Sequence, residues 1–210
     1  ADTSSAFSPA FDPKGRWLYF LSDRDYQLQF SAYEQNYLYA DATRIYAVSL
    51  ATQGPFFYRD ADEVDAKDDG KSAEETSTPK ISIDTKGMIG REQVLKAGNG
   101  TYRKLAASAD AVFFAATLGS RDDGNFELRM LGLDDDKDIV IAKELSDYAL
   151  AANGKKVLVQ FDGKFALVDT KADQDPGKST LDLSAMKLLV DPRREWNQQF
   201  TDGWIRLKRH

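Results

Sequence analysis

Cysteine is absent from the 210 residues, so disulfides, thiolate metal sites and cysteine nucleophiles are excluded. Histidine is nearly absent as well. The single one is His210, the last residue, which leaves no imidazole inside the chain to act as a general base or to join a metal cluster. No apolar run approaches the roughly 18 residues needed to span a bilayer. The first residues, Ala1-Asp2-Thr3-Ser4-Ser5, have neither the basic start nor the apolar centre of a signal peptide. There is no surplus of positive charge either: the net charge is −6. That charge is localised. Residues 60–78 hold eight acids and two bases, so the rest of the chain is balanced. With no basic face, nucleic-acid binding is disfavoured.

What the chain has is a repeating grammar of turn and apolar strand. Asp12-Pro13-Lys14-Gly15 is turn chemistry, and residues 17–21 (Trp-Leu-Tyr-Phe-Leu) follow as an aromatic run of strand length. The grammar returns at residues 102–110, leading into an apolar run from Ala111, and at residues 148–156, leading into another from Val157. A period in the forties, built of short strands and polar turns, is the spacing of propeller blades. Further strands are expected at residues 44–50, 80–83, 93–95, 126–131, 139–142 and 165–169. Residues 162–163, Asp-Gly, suit the last hairpin. Residues 61–78 are too polar to offset their ordering entropy and read as a flexible insertion. Residues 27–39 read as a second long connection, unusually aromatic.

The end changes character. Asp191-Pro192 is an N-cap followed by proline at the first helical position, and Glu195 suits the helix dipole. Trp196, Phe200, Trp204 and Leu207 then fall on one face at helical spacing.

These features together resemble the tricorn protease family. Residues 8–25 (Ser-Pro-Ala-Phe-Asp-Pro-Lys-Gly-Arg-Trp and onward) look like a blade segment of that family's second propeller. The acidic insert, then Ile81-Ser82-Ile83-Asp84, Arg91 to Leu95 and Ala97-Gly98-Asn99-Gly100-Thr101-Tyr102, is similar to its next stretch. Here the chain departs by having Thr85-Lys86-Gly87-Met88-Ile89. Val190-Asp191-Pro192-Arg193-Arg194-Glu195-Trp196, with Phe200 and Gly203-Trp204, looks like the junction leading to the first helical domain. The resemblance implies a serine peptidase whose propellers filter or channel peptides, and an exported, periplasmic setting. Its nucleophile, histidine and supporting acid match no residue here, and His210 matches no catalytic motif.

Sharper readings compete with plainer ones. Asp134, Asp135, Asp136 and Asp138 could hold Ca²⁺, but without a calcium-loop glycine they read as a solvated turn. Trp17, Phe20, Phe113 and Phe114 could form a ligand cage, but at strand spacing they read as core. Ser8, Ser22 or Ser120 could be a nucleophile, but none lies in a Gly-x-Ser-x-Gly elbow. Trp196, Phe200 and Trp204 could recognise another protein, but they read as the core face of a following domain.

The expectation is therefore an all-β fold: a partial β-propeller of about three four-stranded antiparallel blades (residues 6–96, 101–145 and 147–189) within a domain of residues 1–190, plus a C-terminal amphipathic helix over residues 191–210. No catalytic residue, cofactor or metal is expected within it. Three blades do not close a ring. Partners are therefore expected to be peptides and the remainder of the same peptidase, or another copy, covering the open blades and the helix face. A propeller interaction module without a peptidase is the competing function.

Overall fold

The computed structural model describes residues 5–24, 27–31, 36–52, 83–117, 124–187 and 191–208. They divide into two compact units, residues 1–180 and 181–210.

The first unit is built of antiparallel sheets. β1 (Ala6–Phe11), β2 (Trp17–Ser22), β5 (Arg44–Ser49) and β6 (Glu92–Val94) form sheet 1, in that spatial order. β7 (Thr101–Ala107), β8 (Ala111–Thr117), β9 (Phe126–Gly132) and β10 (Asp138–Leu145) form sheet 2. β11 (Asp147–Leu150), β12 (Lys156–Phe161) and β13 (Lys164–Asp169) form sheet 3, and a single bridge from Ala166 to Thr180 stands where a fourth strand would pair. In each sheet the strands neighbour one another in chain order, and tight turns set the pairs β1–β2, β7–β8, β9–β10, β11–β12 and β12–β13. The Asp12 carboxylate is buried and holds its own turn, accepting from the Lys14 N–H (3.2 Å), the Arg16 N–H (3.2 Å) and the Arg16 Nε (2.8 Å). Ser108 Oγ does the same work before β8, accepting from the Ala111 N–H at 3.1 Å. Asn153 Oδ1 does it before β12, accepting from the Lys155 N–H at 3.0 Å.

Stacking follows from the two-residue period of a strand. Trp17, Tyr19 and Leu21 point from sheet 1 toward sheet 2, where they meet Val112, Phe114 and Ala116. Ala111, Phe113 and Ala115 point the other way, to Tyr148, Val157, Val159 and Val168 of sheet 3. β8 is thus buried on both faces, which is why its sequence is a continuous apolar run rather than an alternating one. The first strands lie nearest one another: β7 packs against β1 on one side and β11 on the other. The arrangement is a partial propeller with no closed ring.

Three expectations meet a different outcome. Ile83 is not in a strand, and residues 80–82 lie outside the described residues; the outer strand of sheet 1 is β6, while β1 supplies the inner one. The aromatic connection at 27–39 contains a two-stranded ribbon, β3 (Gln27–Ser31) with β4 (Asn36–Ala40), because its tyrosines, phenylalanine and leucines favour extended pairing. Val157 takes the register place of Val112, not of Ala111, so the repeat is one residue shorter than the spacing of strand starts suggests. The acidic insert lies outside the described residues.

The second unit contains α1 (Pro192–Lys208). Asp191 caps it as expected: Oδ1 accepts from the Arg193 N–H (3.1 Å) and the Arg194 N–H (3.4 Å). Trp196, Phe200 and Trp204 are all more than half exposed.

Candidate functional site

The candidate reactive groups of the sequence are engaged in holding the sheets. Ser8 Oγ accepts a hydrogen bond from the Leu105 N–H at 2.7 Å. Ser22 Oγ donates to the Ser5 carbonyl at 2.8 Å and accepts from Arg24 Nε at 3.1 Å. Ser120 and His210 lie outside the described residues. The aspartates after β9 do not converge. Asp135 pairs with Lys137 at 3.0 Å, which holds its carboxyl below the usual range. Asp136 pairs with Lys96 at 2.5 Å. Asp138 takes both arms of Arg129, at 3.0 and 2.9 Å. Among the described residues no group of three or more His, Cys, Asp or Glu side chains is placed to hold a metal ion. The four aromatics are dispersed as well. Trp17 and Phe114 lie between sheets 1 and 2, Phe113 lies between sheets 2 and 3, and Phe20 lies on the far face of sheet 1.

The structure brings together a seam along the first strands that sequence reasoning does not pick out. Ser8 and Lys104 hold the same place in successive sheets. Each has a left-handed backbone (φ 51 for both) inside a β-bulge, where the register of β1 on β2 and of β7 on β8 skips. A bulge residue leaves polar groups outside the ladder, and the seam uses them. Ser8 reaches across to the N–H of Leu105. The Lys104 carbonyl accepts from the Tyr148 hydroxyl, which also lies 3.2 Å from the Phe113 carbonyl. Lys104 Nζ pairs with Asp147 and sits 5.1 Å from the centre of the Tyr148 ring. That ion pair lowers the Asp147 carboxyl. Burial, and then the Asp147 charge, push the Tyr148 phenol well above its usual value. The only sequence signal for this seam is a polar residue interrupting each first strand, which many surface strands share.

A second charged group ties the outer strands. Glu127 is buried on β9 and faces Arg129 at 3.5 Å and Lys143 at 3.0 Å. A groove of about 480 Å³ lies beside β1 on the face of sheet 1 turned away from sheet 2, with Phe7, Leu18, Phe20, Val48, Met88 and Ile89 in its lining. Arg24 lies at its rim, paired to Glu92 at 2.6 Å and 4.6 Å from the centre of the Tyr46 ring. The groove is apolar and carries no nucleophile, base or oxyanion donor set.

No family model matches the chain. Three curated relatives match nearly all of it. The putative tricorn-like protease C-terminal subunit of Sulfurisphaera tokodaii is 29% identical over 94% of this chain and 23% of its own length. The tricorn protease homolog 1 of Streptomyces coelicolor is 26% identical over 97% of this chain and 21% of its own. The tricorn protease homolog of Saccharolobus solfataricus is 23% identical over 97% of this chain and 19% of its own. Among solved structures, that of the tricorn protease superposes with a TM-score of 0.68 at 17% identity, over 97% of this chain and 20% of that one. The chain thus spans about a fifth of the length of the proteins it matches.

Proposed function

The chain is tricorn-like along nearly its whole length, and on that premise we propose that it is the non-catalytic blade segment of a tricorn-like serine peptidase, serving as scaffold and as part of the route by which peptides reach and leave the catalytic centre. In this reading residues 1–190 belong to the second propeller and residues 191–210 begin the following helical domain. The observation that carries it is the use made of the chain's own chemistry. Ser8 and Ser22 hold strands together, Asp135, Asp136 and Asp138 are paired with bases, and the apolar strands are spent on sheet stacking. Such a unit offers shape and an inner edge rather than reacting groups, which suits a wall of a passage. The exposed row Trp196, Phe200 and Trp204 then docks on the remainder of the same peptidase.

Peptide hydrolysis tests the reading. The 210-residue chain alone is expected to turn over no peptide, whereas the longer parent polypeptide cleaves them through groups outside these residues. Turnover by the chain alone would overturn the assignment of its serines. An inactive parent would leave an interaction propeller as the better account.

A further inference from the structure

The bulges of β1 and β7 are built alike and differ in one group. In each, two residues stand opposite one: Ser8 and Pro9 opposite Phe20, Lys104 and Leu105 opposite Phe114. The peptide between the two bulge residues lies outside the ladder. In sheet 1 it joins Ser8 to Pro9, so it has a carbonyl and no N–H. In sheet 2 it joins Lys104 to Leu105 and has both. A trans peptide points its carbonyl and its N–H in opposite directions. Here the carbonyl takes the Tyr148 hydroxyl of sheet 3, and the N–H goes to Ser8 Oγ of sheet 1 at 2.7 Å. Lys104 Nζ closes on Asp147, so the carbonyl and the side chain of one residue hold neighbouring points of β11. Ser8 and Tyr148 belong to strands on opposite sides of β7, and the partner they have in common is this peptide.

We propose that the Lys104–Leu105 peptide is a relay, coupling the junction of sheets 1 and 2 to the junction of sheets 2 and 3, so that loosening either inner seam loosens the other. Two effects tie its bonds together. A carbonyl that accepts a hydrogen bond draws electron density along the peptide and makes the N–H of the same unit a better donor. The peptide plane also turns as one body, because rotation about its C–N bond is barred. Its tilt sets the direction of both bonds at once, and a tilt that breaks one spoils the other. The coupling is reciprocal, as any coupling free energy between two sites must be. Sheet 1 cannot pass it on by the same means, since its matching peptide ends in the nitrogen of Pro9 and has nothing to donate. The first strands of the three sheets thus respond together, with Lys104 as the pivot.

Amide hydrogen exchange in the isotope-labelled 210-residue chain, followed by nuclear magnetic resonance, reads the coupling at its far end. Tyr148→Phe removes the hydroxyl on the sheet 3 side and alters no atom of sheet 1. The expected result is exchange of the Leu105 N–H faster by about tenfold, the order for groups in one hydrogen-bond network. Its proton resonance should move upfield as the bond to Ser8 lengthens. The Gly100 N–H is the internal reference, because it bonds to the Thr43 carbonyl at 3.1 Å, between the segments leading into β5 and β7, and lies off the relay. Its rate should not change. Lys104→Met is the second control: it breaks the Asp147 pair at the same junction, leaves the peptide in place, and should leave the Leu105 rate unchanged. Urea melts read the reverse direction. Ser8→Ala and Tyr148→Phe combined should cost clearly less than the sum of the two single losses. An unchanged Leu105 amide in Tyr148→Phe, or additive losses in the double variant, overturns the relay. So does equal acceleration of Leu105 by Lys104→Met, or of Gly100 by Tyr148→Phe, since either marks a general loosening of the sheets.

Discussion

Tyr148→Phe deletes one oxygen at the seam between sheets 2 and 3 and should leave a measurable and pH-dependent mark. The Tyr148 hydroxyl is the partner of the Lys104 carbonyl, which the bulge of β7 takes out of the ladder. Tyr148 is 2% exposed, so no water replaces the lost donor cheaply. Removing a buried partner of this kind costs about 1.5 kcal/mol. In a unit of this size that corresponds to a melting point lower by about 3–6 °C. The sign of the effect then changes with pH. Burial raises the phenol in the folded state above its unfolded value, so folding holds a proton that the unfolded chain releases. The stability this group supplies is complete below about pH 10 and declines as pH rises further. At about pH 11 the unfolded chain has gained about 1.4 kcal/mol from ionising Tyr148, a gain the phenylalanine variant lacks. The two proteins should therefore reach equal stability near pH 11 and cross above it. Urea melts followed by far-ultraviolet circular dichroism from pH 7 to 11.5 measure this directly. A deficit that stays constant over the whole range would refute the assignment of a buried, neutral Tyr148 donor.

The remaining predictions concern the other devices that hold the sheets. Arg129→Met strips both bonds from Asp138 and one partner from the buried Glu127, and is expected to cost about 3 kcal/mol by urea melt. Adding Glu127→Gln should restore part of that loss, and a double variant no better than the single would argue against the pairing. Gly154 and Gly163 have nearly the same left-handed backbone, φ 67 and 69, but a Cβ at Gly154 would meet Ser108 Cβ at 2.7 Å while one at Gly163 meets nothing within 4 Å. Gly163→Ala should thus cost about 1 kcal/mol and Gly154→Ala clearly more, with equal losses speaking against the close turn-to-turn approach of sheets 2 and 3. Asp191→Ala removes the acceptor for the Arg193 and Arg194 amides and should lower helicity at 222 nm by an end-fraying worth about 1 kcal/mol, with Asp191→Asn largely neutral.

The parts of the fold that were legible are those where one short stretch of sequence settles the matter. Asp12-Pro13-Lys14-Gly15 carries its own acceptor, its own fixed φ and its own left-handed residue, so the turn before β2 needs no distant help. The double burial of β8 is written in Ala111-Val112-Phe113-Phe114-Ala115-Ala116, since a strand with water on one face would alternate. Asp191-Pro192 fixes the start of α1 in the same local way. Legibility fails where the deciding partner is far along the chain. Nothing near Ile83 says that β6 pairs with β5 in sheet 1. Nothing near Ser8 or Lys104 announces a bulge, because the strain at each is offset by a bond to the next sheet.

That division bears on what the unit can do. A blade whose two faces are both committed to stacking has only its edges and its end faces left for other work. In sheet 2 both faces are taken, and the polar groups its inner bulge frees are bonded to its neighbours on either side. Sheet 1 differs in one respect: its face turned away from sheet 2 has a groove beside β1, above a small cluster in which Phe20, Tyr46 and Val48 are buried and Leu18 is half-buried. The register of Leu18, Val112 and Val157 therefore puts an apolar pair at the same place in each sheet, and in sheets 2 and 3 the sheet before it covers that pair.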